Sequence, residues 1–154
     1  MGFEKDLYML DVRYSRAAGH RIQVRSTRMV DMPSARAGHS MCYFDDTLLV
    51  FGGITVGQQV TNDVYVYSIT DDKWARQPVF GTKPPPRWCH SAQLVGRTLL
   101  VFGGWSYVTQ AGERHTFLND LHALDVDSMT WREIQTFGEI PRPRCQAPCF
   151  HLRR

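Results

Sequence analysis

Short apolar runs divided by turn residues set the rhythm of this chain. HSMCYF, TLLVFGG, DVYVYSI and WARQPV succeed one another within residues 39–79, rich in aromatic and β-branched types. Between them lie Asp45-Asp46, the segment 57–62 and Asp71-Asp72, whose composition favours turns. The pattern predicts four strands. It returns within residues 89–137 as CHSAQLV, TLLVFGG, DLHALDV and WREIQTF, with Gly96-Arg97 as the first turn. The third strand of each set is apolar on both faces: Val64 and Val66 oppose Tyr65 and Tyr67, and Leu121 and Ala123 oppose His122 and Leu124. A strand of that kind must be covered on both sides. Sheets packed face to face around an axis supply such cover, and Trp74 and Trp131, opening the fourth strands, each offer about 150–250 Å² to a neighbouring sheet. The double glycine is expected to end the second strand, where the backbone needs a permissive exit or a close neighbour.

The two sets are copies of one unit. Arg36, His39, Ser40, Gly52 and Gly53 recur 51 positions later as Arg87, His90, Ser91, Gly103 and Gly104. Asn62, Asp63, Trp74, Phe80, Gly81 and Arg87 recur 57 positions later as Asn119, Asp120, Trp131, Phe137, Gly138 and Arg144. The difference is a six-residue insertion between Gly104 and Asn119, and an insertion at one place in a repeat marks a loop.

RAGHS, LLVFGG, NDVYVYSI and W, followed by RWCHS, LLVFGG, NDLHALDV and W, resemble the kelch repeat, whose units are the blades of β-propellers. The resemblance implies an all-β fold of kelch-type blades, each of four antiparallel strands. Upstream, DLYMLDV resembles a third strand, with RIQVRS as the fourth. Downstream, RCQAPCFHL resembles a first strand without the His-Ser pair. The expected division is a partial blade with a basic loop over 1–35, complete blades over 36–86 and 87–143, and the first strand of a further blade over 144–154. Propellers close with about four to eight blades, so two whole blades make an incomplete, open propeller. The missing blades would come from the rest of a longer kelch chain or from oligomerisation. The absent second strand argues against sharing one split blade between copies.

Composition adds limits. With 43% hydrophobic and 21% charged residues, the chain reads as globular rather than disordered. The net charge of +3 is small and mixed along the chain, so no nucleic-acid stripe emerges. No run approaches the length of a membrane span, and MGFEKDLYML is too charged for a secretory signal. Asp6 occupies the position where a myristoylation pattern needs Ser or Thr. A cytoplasmic protein with no membrane or nucleic-acid partner is expected. Cys42, Cys89, Cys145 and Cys149 then read as reduced, buried thiols.

In a four-strand meander, the loop from second to third strand and the link to the next blade share one edge. That edge gathers segments 54–61 and 105–118 with the proline-rich links FGTKPPPRW and FGEIPRPR. Loops on a rigid scaffold commonly carry binding. The candidate protein-binding residues are Trp105, Tyr107, Arg114, His115, Gln58, Gln59, Arg36, Arg87 and Arg144, with a structural role weighed for the three recurring arginines. Neither a nucleophile-elbow nor a phosphate-loop motif occurs, and the neighbours in His39-Ser40 and His90-Ser91 point to opposite faces. Cys145, Cys149 and His151, on a strand, would span about 20 Å, too far for one ion. No cofactor or metal is therefore expected. The kelch resemblance implies non-catalytic adaptor or scaffold work through the loop edge. The alternative is a fragment of an enzyme or small-molecule-binding propeller whose ligands lie in other blades, as in copper-radical oxidases. The iron-site spacing E-x-x-x-D-x-x-x-H of some plant kelch proteins is absent.

Overall fold

The structure, a computed structural model, describes residues 7–15, 19–27, 32–107 and 116–148, the first two stretches as main chain only. In chain order the strands are β1 (Leu7–Ser15), β2 (Gly19–Thr27), β3 (Arg36–Ala37), β4 (Ser40–Phe44), β5 (Thr47–Phe51), β6 (Ile54–Thr55), β7 (Val64–Ser68) and β8 (Lys73–Arg76). There follow β9 (Phe80–Gly81), β10 (Ser91–Val95), β11 (Thr98–Ser106), β12 (Thr116–Asp125) and β13 (Thr130–Glu133). No helix occurs among the described residues.

Unit one is the antiparallel sheet β4-β5-β7-β8, and unit two is β10-β11-β12-β13 with β9 added at its outer edge. Local chemistry sets these meanders. Asp45 (φ 40°) and Asp46 (φ 59°) make the two-residue turn between β4 and β5, with the left-handed backbone whose twist suits a tight hairpin. Asp72 (φ 55°) and Met129 (φ 51°), 57 positions apart, take the same conformation before β8 and β13. The repeat is thus written in backbone angles as well as in side chains.

The two sheets pack face to face. Leu49, Phe51 and Val64 of unit one form one buried cluster with Leu99, Val101, Leu124, Val126 and Trp131 of unit two, with Cys42 and Phe44 packed against it. Phe51 meets the Trp131 ring at 4.9 Å between centroids. Removal of this much apolar surface from water is the main force joining the units. The opposite face of unit one carries a second cluster, Val50, Tyr67 and Trp74. On that face Met41 and Tyr43 of the edge strand β4 are exposed, at 51% and 63%. The fold is an all-β kelch-type arrangement of propeller blades whose sheets do not close into a ring among the described residues.

Several expectations need correction. β11 does not end at the double glycine: it runs on to Ser106, with its pairing to β12 shifted between Phe102 and Gly104. Gly103 (φ 61°) and Gly104 (φ 99°) there make a bulge rather than a terminus. Residues 105–106 and 116–118, expected in a loop, are therefore strand. The fourth strands stop at Arg76 and Glu133, short of the apolar runs. β9 was not expected at all; it lies in the link after unit one and pairs in parallel with β13 of unit two. Upstream, β1 and β2 form an antiparallel hairpin from Leu7↔Thr27 to Ser15↔Gly19. Residues 144–148 of the expected downstream strand are not in a strand, and 149–154 lie outside the described residues.

Candidate functional site

The loop edge is held by a hydrogen-bond frame that repeats with the sequence. Arg36 donates from Nε to Ser34 O at 3.1 Å and from one terminal nitrogen to Gly52 O at 2.9 Å. Arg87 does the same with Pro85 O at 3.2 Å and Gly103 O at 2.9 Å. Arg144 repeats the first bond, to Arg142 O at 3.0 Å. The main chain of these arginines also joins the units: Gly53 N–H donates to Arg87 O and Arg87 N–H to Thr61 O. In the next unit Gly104 N–H donates to Arg144 O and Arg144 N–H to Leu118 O. Asn62 and Asn119 secure the proline-rich links by donating to Pro84 O (2.8 Å) and Pro141 O (3.4 Å).

The arginines differ in what surrounds them. Arg87 is fully buried, its guanidinium held by both Asp120 oxygens at 2.7 and 2.8 Å. A fork-to-fork pair of this kind is directional as well as strong. Burial pushes the Asp120 pKa upward, and the bonds from His122 and Arg87 overcome it, leaving the carboxyl well below its ordinary range. Arg36 is half-buried and lies over the Tyr65 ring at 5.1 Å, while Asp63 pairs instead with Arg76 at 2.6 Å. Burial lowers the Arg36 pKa, opposed by Tyr65 and Asp63. Arg87 is therefore corrected from contact residue to buried frame, since its donors are spent inside the protein. Arg144, exposed, and Arg36, half-buried, remain at the edge.

The His-Ser pairs act between units, a contact that adjacency within a strand conceals. His90 Nε2 lies 2.8 Å from Ser40 Oγ of unit one. Ser91 donates to Ala147 O, and Ala147 stands one repeat beyond His90, where no imidazole is available. Burial, then the charge of Arg87, lowers the His90 pKa to about 3. An imidazole that holds no proton until so acidic a pH is a weak base near neutrality, so this dyad is suited to joining blades rather than to activating a hydroxyl.

The most distinctive feature of the edge is aromatic. Trp105 stacks on Trp88 with centroids 5.3 Å apart and planes at 6°, and on Phe117 at 5.0 Å and 12°. The backbones of Trp88 and Trp105 exchange two hydrogen bonds at 2.8 and 3.0 Å, and Trp105 pairs with Phe117 across β11 and β12. The same register holds in unit one, where Ala37 pairs with Ile54 and Ile54 with Val60. Ala37, Ile54 and Val60 become Trp88, Trp105 and Phe117 at equivalent positions. Phe117 is 46% and Tyr107 38% exposed.

Of the expected residues, Trp105 is thus half-buried in the stack and Tyr107 stands exposed beside it in sequence. Gln58 and Gln59 are exposed on the tight turn between β6 and Val60, where Gln58 takes φ 58°. Arg114 and His115 lie outside the described residues. Sequence reading missed Trp88 and Phe117; aligning the lead-in and the far side of the insertion with Ala37 and Val60 is the signal that finds them. Among the described residues no cluster of three metal-ligating side chains occurs, and no helix is long and apolar enough to cross a membrane.

A family model described as the KLHDC2/KLHL20/DRC7 Kelch-repeats domain matches residues 2–153. The chain belongs to the kelch-repeat family. It is 36% identical over 113 residues to Kelch domain-containing protein 3 of Bos taurus, covering 73% of this chain and 28% of that protein. It is 35% identical over 156 residues to Acyl-CoA-binding domain-containing protein 4 of Arabidopsis thaliana (97% and 22%). Dynein regulatory complex subunit 7 of Chlamydomonas reinhardtii is 39% identical over 115 residues (73% and 9%). The kelch segment thus spans less than a third of each relative. Among solved structures, that of YjhT matches 84% of this chain and 44% of its own at a TM-score of 0.61 and 19% identity, a likeness of fold.

Proposed function

We propose that these kelch blades serve a non-catalytic protein-binding role, as part of a cytoplasmic adaptor or scaffold, through the loop edge of unit two. One observation carries the reading: between two units that keep the same frame, an aliphatic trio has become a partly exposed stack of Trp88, Trp105 and Phe117. Arg87, the most buried frame residue, is spent in bonds within the fold, so the changed aromatic positions beside it are the ones best placed to select a partner. Flat aromatic rings with one edge dry and one edge wet are frequent anchors of protein interfaces.

The test replaces Tyr107 and Phe117 together by serine in the full-length protein. Proteins that copurify with the parent are then quantified against a control pair, Ile54→Ala with Val60→Ala in unit one. Loss of at least about tenfold in the main copurifying protein for the first pair alone is expected, the scale of a lost interface anchor. Equal recovery from both variants would remove the edge of unit two from the binding role.

A further inference from the structure

The segments that carry Cys89 and Cys145 meet where successive units are joined along the main chain. Gly38 (φ 62°), Cys89 (φ 52°) and Gln146 (φ 54°) are equivalent left-handed positions, separated by 51 and 57 residues. They are bonded in series: Cys89 N–H donates to Gly38 O at 2.7 Å, and Gln146 N–H donates to Cys89 O at 2.8 Å. Cys145 is covalently adjacent to that Gln146 nitrogen. One hydrogen bond and two covalent spans of about 2.4 Å each therefore keep the Cα atoms of Cys89 and Cys145 within about 7.6 Å, and closer wherever that path bends. Disulfides bridge Cα atoms about 4.4–6.8 Å apart.

The surroundings agree. Both thiols are half-buried, whereas Cys42 packs against the core cluster between the units. Cys89 Sγ lies beside Gly38, where a Cβ would approach it to 2.9 Å, so the glycine leaves the thiol its space. The Gln146 amide reaches the same sulfur at 3.7 Å. Burial raises the Cys89 pKa, the Gln146 bond lowers it, and the Cys145 charge raises it again, so the two thiols sense each other.

We propose that Cys89 and Cys145 are a redox pair, closing under peroxide to a disulfide that staples the segment after β13 onto unit two. The closed loop runs from the lead-in of unit two to that of the next repeat, one entire blade. The Cys145 thiolate attacks the peroxide, giving a sulfenic acid and releasing hydroxide, which takes up a proton to become water. The Cys89 thiolate then displaces hydroxide from the sulfenic sulfur, forming the S–S bond and a second water. Two thiols and one peroxide are consumed.

The experiment exposes the folded full-length protein to hydrogen peroxide, alkylates the remaining thiols and maps tryptic peptides without reduction. Of the four cysteines in this sequence, Cys89 and Cys145 are expected to lose reactivity, with WCHSAQLVGR joined to CQAPCFHLR. The second peptide also holds Cys149, so the link must persist in Cys149→Ser, disappear in Cys145→Ser and be reversed by dithiothreitol. A link that survives Cys145→Ser, a Cys89 that stays open to alkylation, or sulfinic acid without any link would each overturn the pair.

Discussion

At the residue scale, the glycines separate conformational need from crowding. Gly96 takes φ 59° with nothing within 4 Å of an added Cβ. Gly104 takes φ 99°, and an added Cβ would lie 2.8 Å from His90 Cβ and 3.0 Å from Trp88 O. Gly96→Ala should cost about 1 kcal/mol, the left-handed penalty alone. Gly104→Ala should cost about 3 kcal/mol or more, because the lead-in to β10 runs against that hydrogen within unit two. Denaturant unfolding of the two variants checks the order, and equal losses would mean the approach of residues 88–90 to Gly104 is not tight. His90 supplies a pH dependence. Its folded pKa of about 3 lies below the ordinary histidine value, so between them the unfolded chain binds a proton that the folded chain refuses. Stability should fall as pH drops from about 6.5 toward 3, by at most about 1.4 kcal/mol per unit for this group. Above about pH 5, His90→Gln should flatten that slope, leaving the share of His39, which burial and Arg36 also lower; below that pH the lowered Asp120 carboxyl adds a loss of its own. An unchanged slope from pH 6.5 to 4.5 would show that His90 is not buried neutral.

At the element scale, the links between blades are ordered by the side chains of the loops they cross. Asn62 donates to Pro84 O, while Arg87 N–H reaches Thr61 O beside it. Asn62→Ala should cost about 1 kcal/mol, one part-buried hydrogen bond. It should also speed hydrogen exchange at Arg87 while leaving β10 protected; slowed or unchanged exchange would place the anchor elsewhere. Much of this organisation was legible in the sequence, because the residues that recur are those with unusual demands: left-handed glycines, an asparagine that ties a link, a tryptophan that crosses to the next sheet. What escaped was set by partners distant in sequence. The extension of β11 past Gly104 follows the pairing of Trp105 with Phe117, and β9 exists because unit two offers an outer edge. Trp105 and Tyr107 were legible by type, but Phe117 sits where the period changes from 51 to 57 and the alignment is hardest to see, and Trp88 gains its place only from the stack it forms with Trp105. The burial of Arg87 was likewise hidden, since Asp120, 33 residues on, decides it.

At the scale of the whole molecule, the blades are not independent bodies. Leu49 is 1% exposed, and its neighbours in the core cluster belong largely to unit two. Further ties cross the same boundary, among them Ser40 with His90, Gly53 with Arg87, and Arg97 of unit two with Asp45 of unit one. The last is solvent-exposed and contributes little to stability in salt. Apolar contact between the sheets therefore carries most of the coupling. Leu49→Ala, a change on β5 of unit one, should cost about 2–5 kcal/mol. Its signature should be loss of hydrogen-exchange protection in β11 and β12 as large as that in β5, because the cavity opens onto both sheets at once. If protection fell in unit one alone, each sheet would be stable by itself, and the stacking of neighbouring blades would no longer explain why both faces of their strands are apolar.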